Sequence, residues 1–426
     1  MGPWSDGGPD ERGATIRAMK TTTLALVLLL CAAVAVAADY EVPQDRQAKE
    51  ILASTILKGP NYRIADLVVL DGYSQRWTVT SDYGAFDVEG DAALRKLLNE
   101  IRAIGELKKL KNSEAFAKGL GGAVKAPFGL AKSLITHPVD TVTGVPKGAY
   151  QLMEDVGTTV TNTKDPSEDS KVAQALKMSS FKRDIAAQLN VDPYSSNTIL
   201  QKELNSVAWA AAAGDWAFSV AMLPAGAGGS IVANVRLTNS IKNVLQQEPP
   251  ARLRIINDEK LKTMGIPEDL RKRYLDHRAY TPRHDTIMTQ NLEGLTGVAG
   301  RDAFLTLALR AEDEADAELY TAMVQVLRGY HENVARLTEI RAFKRFTVAQ
   351  SSAGPAVIAL PVDRLIWTQR VEEVSQQLKT GYQAPGFNGR FDMWVTGTLS
   401  PRARQALEPL GFTITERVNT RVEVID

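Results

Sequence analysis

The stretch YRIADLVVLDGYSQRWTVTSDYGAFDVEGDAALRKLLNEIRAIGEL (residues 62–107) changes its hydrophobic period once, and that change decides the fold class. Over 64–70 it is a β-branched apolar run ending at the turn pair Asp71-Gly72. Residues 75–80 alternate into Trp77 and Val79, Asp82-Tyr83-Gly84 makes a second turn, and Phe86 and Val88 mark a third strand. The spacing then becomes helical. Leu94, Leu97, Leu98, Ile101, Ile104 and Leu107 share one face, and Asp91 reads as the cap. Three short strands need a cover to be stable in water, and this helix is the natural one.

Upstream, residues 19–38 read as an export signal. Met19-Lys20 gives a short positive start, 24–36 is apolar without a charge, and Ala35-Val36-Ala37 supplies the small-x-small site, with cleavage near Ala37. The apolar run is short of the roughly 20 residues a spanning helix needs. Residues 1–18 are Gly-, Pro- and charge-rich, unlike a signal start, so Met19 is the expected first residue and 1–38 an upstream extension plus a cleaved signal. The sole cysteine, Cys31, lies inside that signal, and Leu30 before it argues against acylation as a lipoprotein. A mature chain without cysteine excludes disulfides, thiolate catalysis and cysteine-ligated zinc. The expected location is periplasmic or secreted.

Downstream, the expected units are 39–112 (meander and helix), 113–163, 164–338 and 339–426. In 113–163 an eleven-residue repeat places apolar residues on one helical face, because eleven residues in three turns is about 3.67 per turn. Phe128, Leu134, Val139, Val145 and Tyr150 form the apolar side, and Lys118, Lys125, Lys132 and Lys147 the opposite one. That pattern fits docking on an anionic membrane or a protein partner. Pro127, Pro138 and Pro146 equally fit a broken element packed on the body.

The region 164–338 reads as helical, with helices over 170–190, from 196 or 197, over 258–276, 282–295 and 301–337. The apolar stretch 207–223 is better read as buried core than as a membrane hairpin, since Asp215 sits within it. In 339–426, strands over 343–348, 356–360, 391–395 and 412–418 alternate with helices over 362–378 and from Ser400-Pro401. The chain is therefore α+β and multi-domain, with a small N-terminal meander, a Gly/Pro-broken amphipathic segment, a mostly helical middle and a C-terminal α/β domain.

Fifty basic and fifty acidic side chains leave no net charge, which argues against nucleic acid as a partner. No nucleophile elbow, Walker loop or dinucleotide fingerprint is present, and no cofactor is expected. His277, His284, Asp285 and His331 stand beside carboxylates and could hold a divalent metal if the fold gathered them. Their spacing matches no compact ligand motif. The acidic run at 312–318 reads as a solvated helical face. Residues 71–101 (DGYSQRWTVTSDYGAFDVEGDAALRKLLNEI) and 394–414 (WVTGTLSPRARQALEPLGFTI) resemble exported proteins of Gram-negative bacteria with no assigned activity. That resemblance implies an envelope location and transfers no catalytic residue. The leading expectation is a non-enzymatic envelope protein docking through 113–163, and the alternative is a periplasmic metal-dependent hydrolase.

Overall fold

A bulge shapes the N-terminal sheet. The computed structural model describes residues 40–113, 116, 166–213, 239–422 and 424. The export signal, almost all of the repeat and the apolar stretch beyond 213 lie outside the described residues. Two short edge strands, β1 (Arg46–Gln47) and β2 (Lys58–Gly59), flank one helical turn, α1 (Ala48–Ile51). The run expected as one strand splits into β3 (Tyr62–Ile64) and β4 (Leu67–Leu70), both antiparallel to β5 (Gln75–Ser81). Ile64 faces Val79 while Val69 faces Arg76, so the split run holds two residues more than its partner. β6 (Gly84–Glu89) completes the sheet on the other side of β5.

Helix α2 (Asp91–Lys111) covers this sheet, with Leu94, Leu97, Leu98 and Ile101 packing on Ile64, Trp77 and Val79. Its stripe is wider than one contact needs. Ala103, Ile104, Leu107 and Leu110 turn to the opposite side, against α3 (Pro166–Leu189) and α4 (Thr198–Ala213). The expected cap, Asp91, is instead the first helical residue. The N-cap is Gly90 at φ 97°, which offers no side chain.

The middle continues through α5 (Asn239–Gln247), α6 (Pro250–Thr263), α7 (Glu268–Leu275), α8 (Pro282–Gly294), α9 (Arg301–Ala308) and α10 (Glu314–Asn333). The helix expected over 258–276 is broken between α6 and α7, where Gly265 takes φ 80° and Pro267 follows. The one expected over 301–337 divides because Asp313 caps a fresh start, its side chain accepting from the Asp316 N–H.

Five strands form the C-terminal sheet: β7 (Leu337–Phe343), β8 (Phe346–Ser351), β9 (Ala356–Leu360), β11 (Phe391–Val395) and β13 (Phe412–Thr415). A parallel pair of two-residue strands, β10 (Arg364–Leu365) and β12 (Thr398–Leu399), lies beside it. The order is β13-β11-β9-β8-β7, with β13, β11 and β9 parallel and the β7–β8–β9 steps antiparallel. The strand expected over 343–348 straddles the β7–β8 turn, where Lys344 has φ 55°. Helix α11 (Gln369–Gly381) begins later than the expected 362, because residues 363–366 bond the N-terminal module instead. Helix α12 (Pro401–Leu407) starts as read, with Ser400 accepting from the Ala403 N–H and proline first in the helix.

The helical body meets the C-terminal sheet at Gly300. That residue has φ 79°, and a Cβ there would fall 2.0 Å from the Ile340 carbonyl oxygen of β7. Gly300→Ala is therefore expected to cost about 3 kcal/mol, read as a lower urea midpoint at unchanged slope. Wild-type stability in the variant would exclude this close approach.

Candidate functional site

The three histidines of the described residues each give a ring lone pair to a backbone N–H. His277 Nδ1 accepts from Ala279 N at 3.3 Å, and burial holds its pKa below the usual range. His284 Nδ1 accepts from Thr281 N at 3.2 Å while Thr281 Oγ1 accepts from His284 N, a reciprocal cap on α8. His331 Nδ1 accepts from Leu337 N at 3.0 Å and its Nε2 lies 2.8 Å from Arg336 Nη1. Asp285 is buried beside Tyr274, and that burial pushes its carboxyl well above the usual range.

The structure does not gather His277, His284, Asp285 and His331 into one ligand set. Among the described residues, the group of three or more His, Asp or Glu side chains with ligand atoms all within 4.8 Å of one another is His284, Glu314 and Glu318. An ammonium already serves that place. Lys96, from α2, contacts Glu314 Oε1 and lies 2.9 Å from Glu318 Oε1. Ser196 donates to the other oxygen of Glu314. One turn along α2, Glu100 accepts from Ser195 Oγ at 2.5 Å and Asn197 Nδ2 at 2.9 Å. Asn197 in turn caps α4, its Oδ1 accepting from Ile199 N and Leu200 N.

Charge balance in this cluster is set by burial against attraction. Burial alone would lower the Lys96 pKa, but Glu318, Glu314 and Glu100 raise it above its ordinary value. Burial would raise Glu314, yet the attraction of Lys96 and His284 brings it down to about 2. Burial, aided by Lys96, depresses His284 to about 3, so its ring is neutral. With Nδ1 accepting from a backbone N–H, the neutral ring carries its proton on Nε2. A divalent cation would need that nitrogen's lone pair and would have to displace the Lys96 ammonium. The residues do not fit a metal. Their chemistry is that of an ion lock joining α2, the 190–197 turn, α8 and α10.

The acidic run is correspondingly less solvated than its sequence implies. Glu314 and Glu318 hold Lys96, Asp313 caps α10, and Asp316 accepts from Glu312 N at 2.9 Å and pairs with Arg345 at 2.8 Å. Arg404, in the last turn of α12, pairs with Glu416 at 2.9 Å.

Open parallel sheets carry ligand sites at the carboxyl ends of their strands. Here the loop after β9 is taken up by the N-terminal module. Asp363 N and Arg364 N donate to Tyr73 O at 2.9 and 3.2 Å, and Ile366 N to Gly72 O at 3.3 Å. Glu41 adds a second attachment, with Glu41 N donating to Trp367 O and its carboxylate accepting from Trp367 N at 2.6 Å and from Ser400 Oγ. Phe128, Leu134, Val139, Val145, Tyr150, Lys118, Lys125, Lys132 and Lys147 lie outside the described residues. No known protein family matches the chain, and no curated protein or solved structure matches it either.

Lys96→Met is expected to cost about 3–5 kcal/mol at neutral pH, because it strands two half-buried carboxylates. Glu314, held down to about 2 from 4.5, contributes stability above pH 4.5 that is lost as pH falls through 2. The gap between variant and wild type should therefore close over that window in acid denaturation. A gap of constant size would contradict the ion-lock reading.

Proposed function

We propose that this chain is an exported, non-enzymatic envelope protein that docks on an anionic membrane surface through 113–163. The observation that carries this reading is where the chain leaves and re-enters its helical body. Glu100 of α2 lies beside Ser195 and Asn197 at the α3–α4 turn, whereas Lys111 at the far end of α2 pairs with Glu203 at 2.8 Å. Helices α2 and α4 thus run side by side in one direction, and α3 comes back against them. Helix α5 ends near the same turn, since Arg183 Nε donates to Gln246 O at 2.8 Å and Tyr194 OH to Glu248 O at 3.3 Å.

The end of α2, the start of α3, the end of α4 and the start of α5 consequently lie at one end of the bundle, away from the 190–197 turn. Both 117–165 and 214–238 are inserted there. Over 118–152 the sequence carries Lys118, Lys125, Lys132 and Lys147 against Asp140 alone, and 214–238 holds only Asp215 and Arg236 as charges. Trp209 is exposed near the same end of α4. A segment whose lysines fall over 118–147, ahead of Glu154 and Asp155, and an apolar segment both join the body at this end near the exposed Trp209, which suits the headgroup region of an anionic bilayer.

Against the hydrolase alternative, His277, His284 and His331 each accept from a backbone N–H through Nδ1, and they are not gathered into one ligand set. Flotation of the mature chain with vesicles containing phosphatidylglycerol tests the docking reading. Each basic side chain near such a surface is worth about 1 kcal/mol, so replacing Lys118, Lys125, Lys132 and Lys147 by glutamine should lower the bound fraction more than tenfold. Binding should weaken with salt. Equal flotation of variant and wild type, or none by either, sinks the membrane reading.

A further inference from the structure

Helix α2 borrows its cap from a residue 272 positions away. Gly90 at the N-cap has no side chain to give, and the Asp91 N–H is met by Asp363 Oδ1 at 3.1 Å. The other oxygen of Asp363 accepts from Gln75 N at 2.8 Å. One carboxylate from the C-terminal domain thus serves both the helix start and the adjoining strand of the N-terminal module. Backbone bonds from Asp363, Arg364 and Ile366 to Tyr73 and Gly72 zip the same boundary.

The charged groups facing Asp363 are few. From α2 come the Asp91 carboxylate and the Arg95 guanidinium. In the 71–74 turn, Asp71 is engaged locally, its Oδ1 accepting from Tyr73 N and Ser74 N at 2.8 Å each. From β5 come only neutral groups, with Trp77 Nε1 and Gln75 Nε2 donating to Asp91 at 3.0 and 3.3 Å. Two carboxylates therefore share this boundary with the Arg95 guanidinium, and further along it the Glu41 carboxylate accepts from Trp367 N and Ser400 Oγ. We propose that the Asp363–Asp91 contact is a pH-sensitive latch, which holds the N-terminal module over the carboxyl edge of the C-terminal sheet and tightens as pH falls.

The sign follows from linkage. Burial, and then the negative charge of Asp91, push the Asp363 carboxyl up to about 7, against the pull of the two backbone N–H groups and Arg95. Separated from the module, the same side chain would titrate near 4. The docked state binds a proton that the undocked state releases, so docking strengthens as pH drops from above 7 toward 4 and is constant below that. Because the module covers an edge where parallel sheets carry ligand sites, the latch sets access to that edge. It operates whether or not the chain docks on a membrane.

Hydrogen exchange of the mature chain, read by mass spectrometry at pH 5 and pH 8, tests the latch. After correction for intrinsic exchange, peptides covering 71–77 and 361–367 should be at least about tenfold better protected at pH 5. A peptide covering 346–360, in the C-terminal sheet, should not share that change. Asp91→Asn keeps an oxygen for Trp77 and removes the charge, so it should reduce the pH dependence to the part that burial of Asp363 sets. Equal protection at both pH values in wild type, or an undiminished dependence in Asp91→Asn, overturns the proposal. The carboxyl-carbon NMR signal of Asp363, assigned by its loss in Asp363→Asn, reads the wild type directly. A midpoint below about 5 overturns the latch regardless of how the variants fold.

Discussion

A largely desolvated ammonium must be neutralised, and meeting that need for Lys96 fixes how the parts of this chain sit together. Lys96 rises from α2, in the N-terminal module, and its two partners, Glu314 and Glu318, come from α10 more than 200 residues later. Glu100, one turn further on, binds the Ser195–Asn197 turn that starts α4. Two polar residues among the apolar positions of one helix thereby orient two other elements. Apolar packing alone would hold α2 against both the sheet and α3–α4, but it would permit sliding and rotation. Replacing such an ion lock by hydrophobic contact can preserve stability while losing that register.

The local half of this design is legible in the sequence. The switch from strand to helical period at Asp91 and the Ser400-Pro401 helix start each act within a few residues, and each appears where the sequence puts it. What the sequence hides is non-local. Asp91 has the side chain of a cap, but Gly90 takes the capping position and Asp363 supplies the oxygen. Lys96 and Glu100 read as solvated residues bordering an apolar stripe, because their partners lie roughly 95 to 222 positions away. A second apolar face on α2 was the available hint. A helix apolar enough to be buried on two sides forces its interspersed charges to find buried partners as well.

The histidine pairs show the converse error. An imidazole beside a carboxylate in sequence looks like half a metal site, yet neighbours along a helix point in different directions. His284 and Asp285 are adjacent, and one turns toward Lys96 and Glu314 while the other lies against Tyr274. Each of the three described histidines sits where a helix or strand begins or ends, and each spends its Nδ1 lone pair on a backbone N–H there. Such N–H groups are costly to bury unpaired. Imidazole is a capping group here for the same reason that makes it a ligand elsewhere: an accessible nitrogen lone pair.

The ends of the described chain then explain why two long insertions are tolerated. Glu41 binds Trp367 and Ser400, Tyr40 donates to Glu372, and Asp363 caps α2, so the first described residues are fastened to the C-terminal domain. Helices α2 and α10 are fastened again through Lys96. These contacts close the body through residues outside 117–165 and 214–238. Loop-closure entropy rises only with the logarithm of length, about 0.6 kcal/mol per doubling, so a body closed elsewhere bears a long insertion at modest cost. Both insertions join the body at the end of the bundle away from the 190–197 turn, so their closure asks nothing of the Lys96 and Asp363 contacts.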